Sequence, residues 1–206
     1  PLTAMDSTIC MGASIGVLHG MNTLRPELAG KSVAVIGDST FMHSGMTGLL
    51  NVVYNQSPST IIILDNSITA MTGHQQNPAT GYTLKRKPAP ALDIEGVCRA
   101  IGVRRVRSVD PFDTEEVETA IKEELAADEP SVIVAKHPCA LLKYVEKKPP
   151  LTVDSEKCRN CGMCGKLGCP AIVRTDSGVS IDHTLCAGCE LCAEVCKFGA
   201  ISREEN

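Results

Sequence analysis

Eight of the eleven cysteines in this 206-residue chain fall between positions 158 and 196. Cys158, Cys161 and Cys164 are followed by Cys169, and Cys186, Cys189 and Cys192 are followed by Cys196. A segment of roughly fifty residues buries too little apolar surface to fold on a core alone, so this tail must draw its stability from bound metal. The rest of the chain is left to build a separate domain with its own core. The crowding follows ligand spacing rather than disulfide spacing, which points to a reducing compartment and a cytoplasmic location.

Each half of the tail is C-x2-C-x2-C with a more distant fourth cysteine. Thiolates at i, i+3 and i+6 wrap one corner of an iron–sulfur cube, and the fourth lies too far round the turn to close its own cluster. Cluster one is therefore assigned to Cys158, Cys161, Cys164 and Cys196, and cluster two to Cys186, Cys189, Cys192 and Cys169. The alternative is a pair of zinc sites, although zinc modules usually place two CxxC pairs far apart. Residues 153–203 resemble the bacterial two-[4Fe–4S] ferredoxins. Two departures stand out: four residues, Gly165–Gly168, precede Cys169, and Lys197 occupies the place of a proline.

Composition excludes several functions. Net charge is −4, aromatic content is 3% and Trp is absent, which leaves neither a basic patch nor stacking platforms for nucleic acid. No apolar run approaches the length that spans a bilayer, so no membrane association is expected. The opening PLTAMDSTIC lacks the basic start and long apolar core of a leader, and an upstream region is left open because no initiator Met is present.

In chain order, Gly12, Ala13, Ser14 and Gly16 let a helix start approach a ligand or another chain closely, or simply pack tightly. Val33–Ile36 and Ile61–Leu64 read as strands, with Met46, Leu49, Leu50 and Val53 marking a helix between them. Leu28–Lys31 reads as a turn, and 68–82 as an ordered loop extended by Lys85–Pro90. Asp93 caps a helix carrying Ile94, Val97, Cys98 and Ile101 that stops at Gly102. Val103–Val109 follows as a strand. Asp113 and Glu116 open a helix running to Ala127, and Ser131–Ala135 is the last buried strand. Alternating strands and helices without hairpins predict an α/β fold with a mostly parallel sheet covered on both faces. The expected domains are 1–142 and 153–206, joined by a Pro-stiffened linker at 143–152.

Both strands of the first pair end in polar residues: Gly37-Asp38-Ser39 and Asp65-Asn66. Ligands bind at that edge of open α/β sheets. Asp38 offers a carboxylate and Asn66 an amide oxygen, hard ligands suited to Mg2+ on a diphosphate. The N–H groups of Gly37–Thr40 would face phosphate oxygens. By residue type alone, a strand-end Asp in a turn is commonplace. His43, five residues past Asp38, and His74 are candidate acid–base groups, each also readable as a hydrogen-bonded structural residue. Met71 is a candidate contact for an apolar substrate side chain.

GDS followed after 26 residues by Asn66 resembles the thiamine diphosphate motif. CMGASIG, GDSTFMHSG and LDNSITAMTGHQ, followed by the ferredoxin-like tail, resemble the carboxyl-terminal part of indolepyruvate:ferredoxin oxidoreductase large (alpha) subunits, in the 2-oxoacid:ferredoxin oxidoreductase superfamily. The resemblance implies the thiamine-diphosphate-binding fold. It implies that Asp38, Asn66 and the Ile68 carbonyl coordinate Mg2+, that Ser39, Thr40, Thr69 and Ala70 line the diphosphate, and that Cys10, Met11 and Gly12 lie against the cofactor rings. It implies oxidative decarboxylation of an aryl pyruvate, with the acyl group passed to coenzyme A and electrons passed to ferredoxin. Pyruvate or another 2-oxoacid is the alternative substrate, and an electron-transfer module the alternative role. An upstream pyrimidine-binding domain, a beta subunit and a dimer of heterodimers are the expected partners, without which this chain is expected to be inactive.

Overall fold

The computed structural model describes residues 5–146, 148–175 and 178–203. Their contacts separate a unit at Ser7–Cys139 from one that begins at Ala140.

The first unit is built on four parallel strands, β1 (Val33–Gly37), β2 (Thr60–Asp65), β3 (Arg105–Val109) and β4 (Ser131–Lys136), in the order β1-β2-β4-β3. Side chains alternate between the two faces of each strand. Ala34, Ile36, Ile61, Ile63, Val132 and Val134 point to one face, where Ile15, Leu18, Leu49, Val52, Ile94 and Cys98 complete a core. These last residues come from α1 (Ala13–Leu24), from the helical run after β1, and from α4 (Ile94–Ile101). Val109, Ile133 and Ala135 meet Ala120 of α5 (Thr114–Leu125) on the opposite face. The central strand β4 is buried at every position but its last, which is why it reads as a continuous apolar run. On the α5 face, Val35 of β1 and Leu64 of β2 remain about half exposed, at 47% and 46%.

The run after β1 has three parts: α2 (Asp38–Thr40), a π turn at Phe41–Gly45, and α3 (Met46–Tyr54). The Met46 N–H donates to the Phe41 carbonyl, five residues back, so one extra residue enters the turn. The sequence period placed Leu50 on the buried face, but Leu50 is 55% exposed and Val52 is buried instead. Glycines explain the rotation. A Cβ at Gly45 would stand 2.8 Å from Ile36 and Phe41, and one at Gly48 would stand 3.2 Å from Ile15. On the packed side Leu49 and Val52 therefore carry the hydrophobic signal alone, with Gly45 and Gly48 silent between them.

Other boundaries differ by a residue or two, as helix and strand ends do. Leu28–Lys31 belongs to a 3-10 helix at Pro26–Lys31. Strand β3 starts at Arg105 rather than Val103, and α5 ends at Leu125 rather than Ala127. The Asp113 carboxylate accepts from the Glu116 N–H at 2.9 Å, the expected cap. Asp93 holds the N-cap position of α4 without a side-chain bond, and Gly102 closes that helix at φ 114°. Arg105 clamps the buried Glu124 of α5 through two bonds of 2.7 and 3.1 Å, tying β3 to its covering helix.

The second unit has two antiparallel pairs: β5 (Leu151–Val153) with β8 (Ile201–Arg203), and β6 (Ile172–Thr175) with β7 (Gly178–Ile181). Leu151 and Thr152, assigned to the linker by composition, instead lie in β5. Leu151 is buried with Cys164, Cys192 and Ile201 in a core partly made of thiols. A 3-10 turn at Cys164–Leu167 and a short helix, α6 (Leu191–Glu194), carry one cysteine each into that core.

Candidate functional site

Strands β1 and β2 are neighbours in register, with Gly37 beside Leu64, so their carboxyl ends deliver Asp38 and Asp65-Asn66 to the same edge. Asp38 is buried. One carboxylate oxygen accepts from the Ser39 N–H at 2.7 Å and the other from the Asn77 amide at 3.1 Å. Burial pushes its pKa up, and the nearby Asp65 charge adds to that, while the bonds from Ser39 and Asn77 oppose it. Asp65, also buried, accepts from the Ser67 N–H at 2.9 Å and lies 3.7 Å from the Lys136 ammonium.

The loop after β2 is held by its own backbone. The Asn66 side-chain oxygen accepts from the Ile68 N–H at 3.2 Å, and Ile68 is itself buried. Thr69 and Gln75 exchange N–H···O bonds of 3.0 and 3.1 Å, closing the segment between them into a tight loop. Met71 and His74 are exposed in that loop, with His74 at φ 61°. Asn77 fastens the loop to the helix start, because its amide also donates to the Thr69 hydroxyl at 3.4 Å. Neither periodicity nor motif pointed to Asn77, whereas Asp65 was marked as a polar strand end without a role of its own. Asn77 shows in the sequence only as an Asn-Pro turn signal, which says nothing of burial.

A third segment reaches the π turn. A Cβ at Gly12 would fall 2.5 Å from the Ser44 Cβ, and Gly12 has φ 89°, so only glycine fits there. Cys10 and Met11, just before it, are exposed. His43 is exposed in the π turn, with Nδ1 2.6 Å from the Ser44 hydroxyl. The structure thus gathers Asp38 with Thr69 through Asn77, and Gly12 with Ser44. Thr40 is buried, while Gly37, Ser39 and Ala70 are half-buried around them.

In the second unit, Cys158, Cys161, Cys164 and Cys196 line one small, shallow cavity. The other four thiols form a second group. Burial pushes the Cys192 thiol up to about 11, and the charges of Cys189, Cys186 and Cys169 push in the same direction. Backbone N–H groups point at sulfur in both groups, Ala200 to Cys196 at 3.4 Å and Leu151 to Cys186 at 3.5 Å. Among the described residues no three Cys, His, Asp or Glu side chains converge tightly enough for a single metal ion.

Residues 1–135 match the model of the thiamine pyrophosphate enzyme C-terminal TPP binding domain. The chain belongs to this thiamine pyrophosphate enzyme family. Residues 179–202 match the 4Fe-4S binding domain. An indolepyruvate oxidoreductase subunit IorA from Archaeoglobus fulgidus is 40% identical over 206 residues, and one from Pyrococcus horikoshii is 40% identical over 223. Each alignment covers 98% of this chain, which spans about a third of the length of these relatives (33% and 34%). The fold is shared with a 2-oxoglutarate:ferredoxin oxidoreductase from Magnetococcus marinus at a TM-score of 0.57 and 15% identity, over 66% of this chain and 48% of that one.

The side chains fit the groups that the family implies. A carboxylate kept from water beside a second one is short of a cation, and the helix start at Asp38–Thr40 offers backbone N–H groups suited to an anion beside it. Two groups of four thiols, each with an N–H directed at sulfur, suit iron–sulfur cores. Among the described residues no helix is long and apolar enough to cross a membrane.

Proposed function

We propose that this chain supplies the diphosphate site and the electron path of a 2-oxoacid:ferredoxin oxidoreductase acting on aryl pyruvates such as indolepyruvate. The observation that carries the reading is the buried Asp38 carboxylate at the sheet's carboxyl edge, in a chain whose tail gathers thiols in two groups of four. Thiamine diphosphate, when bound, supplies an electron-accepting ring that lets a 2-oxoacid lose CO2.

The chain's own residues bind and orient. Asp38, the Asn66 side chain and the Ile68 carbonyl would hold Mg2+, the Asn66 oxygen having a second lone pair beside the one that accepts the Ile68 N–H. Ser39, Thr40, Thr69 and Ala70, with the backbone at Gly37, cradle the diphosphate. Cys10, Met11 and Gly12 lie along the cofactor rings, close to the turn that carries His43. His43 and His74 move protons, and Met71 meets the substrate side chain from the loop it shares with His74. Cys158, Cys161, Cys164 and Cys196 would hold one [4Fe–4S] cluster and Cys186, Cys189, Cys192 and Cys169 another, which would supply one-electron carriers toward ferredoxin. Coenzyme A receives the acyl group. An upstream pyrimidine-binding domain and a beta subunit complete the site, in a cytoplasmic dimer of heterodimers.

The test is an anaerobic assay of the assembled enzyme with several 2-oxoacids, coenzyme A and ferredoxin or a viologen dye. Indolepyruvate should be preferred, and Asp38→Ala should abolish turnover together with Mg2+-dependent cofactor binding. A colourless enzyme holding zinc without iron would overturn the cluster assignment. Unchanged activity in Asp38→Ala would reduce the chain to an electron-transfer module.

A further inference from the structure

The two halves of the cysteine unit differ in charge. Arg159 and Lys166 lie within the first cysteine array, and Lys197 follows its distant partner Cys196. Asp182, Glu190 and Glu194 accompany the second array. Among the described residues, the ion pairs of this unit join Lys157 to Asp154 at 3.2 Å and Arg203 to Glu190 at 2.9 Å. Arg159, Lys166 and Lys197 thus have no carboxylate partner there, and all three are exposed. Arg174 adds a fourth cation from β6. Its guanidinium donates to the Gly162 carbonyl at 2.9 Å, and a Cβ at Gly162 or Gly165 would fall 2.3 or 2.9 Å from it. Both glycines lie in the first array, so this charge rests directly against the ligand loop.

The same side is also the less covered one. Cys161 is exposed, and the cavity shared by Cys158, Cys161, Cys164 and Cys196 is lined by Met163 and Phe198, which are 38% and 47% exposed. In the second group Cys192 is buried and Cys169, Cys186 and Cys189 are half-buried. A small apolar centre lined by Arg159, with Arg174 against its Gly162 and Lys166 and Lys197 close by in sequence, suits a brief electron-transfer encounter, which needs little buried area. Unpaired charge of one sign steers a partner of the opposite sign.

We propose that the face around Cys161, Met163 and Phe198 is the docking surface for an acidic electron-carrier protein, and that electrons leave from the cluster held there. This rests on the reading of the thiols as cluster ligands. A carrier with an acidic surface is drawn to the Arg159, Lys166, Arg174 and Lys197 side.

The experiment uses the assembled enzyme, with its clusters reduced chemically beforehand, so that 2-oxoacid turnover is not needed. Electron transfer to an acidic ferredoxin is followed by stopped flow across a range of salt. Lys166→Glu combined with Lys197→Glu should lower the second-order rate about tenfold and flatten its salt dependence. Transfer to methyl viologen, a small cation, should not fall, and the iron content should stay unchanged. Glu194→Lys on the opposite half should leave the ferredoxin rate as it is. An unchanged ferredoxin rate in the double variant would overturn the proposal. So would loss of subunit assembly on size exclusion, because the face would then be a subunit interface. Failure of 2-oxoacid turnover while transfer from the pre-reduced enzyme remains salt-sensitive would count against the proposed reaction, not against docking.

Discussion

At the scale of single residues, Asp38 carries the most specific consequence. Its folded pKa lies above the unfolded value, chiefly because of burial. The folded state therefore binds the proton more tightly, and this group's contribution to stability falls as pH rises through that interval. Without Mg2+, the stability difference between wild type and Asp38→Ala should shift in favour of wild type as pH is lowered from neutral. Saturating Mg2+ and thiamine diphosphate should reverse that trend, because the ionised carboxylate then has a cation. Urea titrations of the assembled enzyme at several pH values would show both, and a pH-independent difference would contradict the assignment. Gly12 gives a steric counterpart. Gly12→Ala meets the Ser44 Cβ at 2.5 Å and leaves a non-glycine residue at φ 89°, for a loss of about 2 kcal/mol. Ser44→Gly in the same chain should recover only part of the loss, since the backbone strain remains.

Elements were legible in the sequence to the degree that their signals were apolar. The strands showed as runs of Val and Ile because β4 is covered on both sides and β2 is buried over most of its length. The cap at Asp113 and the stop at Gly102 were legible because each is local backbone chemistry. The face of α3 was legible at Met46, Leu49 and Val53 but not at Leu50 and Val52, where the close contacts of Gly45 and Gly48 add nothing to a hydrophobic period. Asn77 escaped notice for a related reason: its partners Asp38 and Thr69 are fixed by tertiary folding, and pairing across that distance has no spacing rule. Ion pairs between elements are hidden in the same way. The clamp of Arg105 on Glu124 holds β3 to α5, and Glu124 is nearly inaccessible to water. Arg105→Ala would leave that carboxylate only the Arg107 guanidinium at 3.7 Å, lowering stability by about 2 kcal/mol in denaturant unfolding, whereas replacing both Arg105 and Glu124 with apolar residues should cost less.

For the whole molecule, the divide near residue 140 separates a unit that folds around Ile, Leu and Val from one whose small core includes Cys164 and Cys192. Stability in the second unit should therefore follow metal content. A strong chelator under anaerobic conditions should make the segment after residue 140 sensitive to protease while Ser7–Cys139 stays resistant. The grouping of its thiols has one more consequence. Cys196 comes from the second array but stands with the first, and Cys169 from the first stands with the second. Each inorganic core would thus be fastened by both halves of the polypeptide, so losing one core loosens an anchor of the other. Loading should then be all-or-none: native mass spectrometry during partial chelation should find fully charged and empty molecules, with half-filled ones scarce.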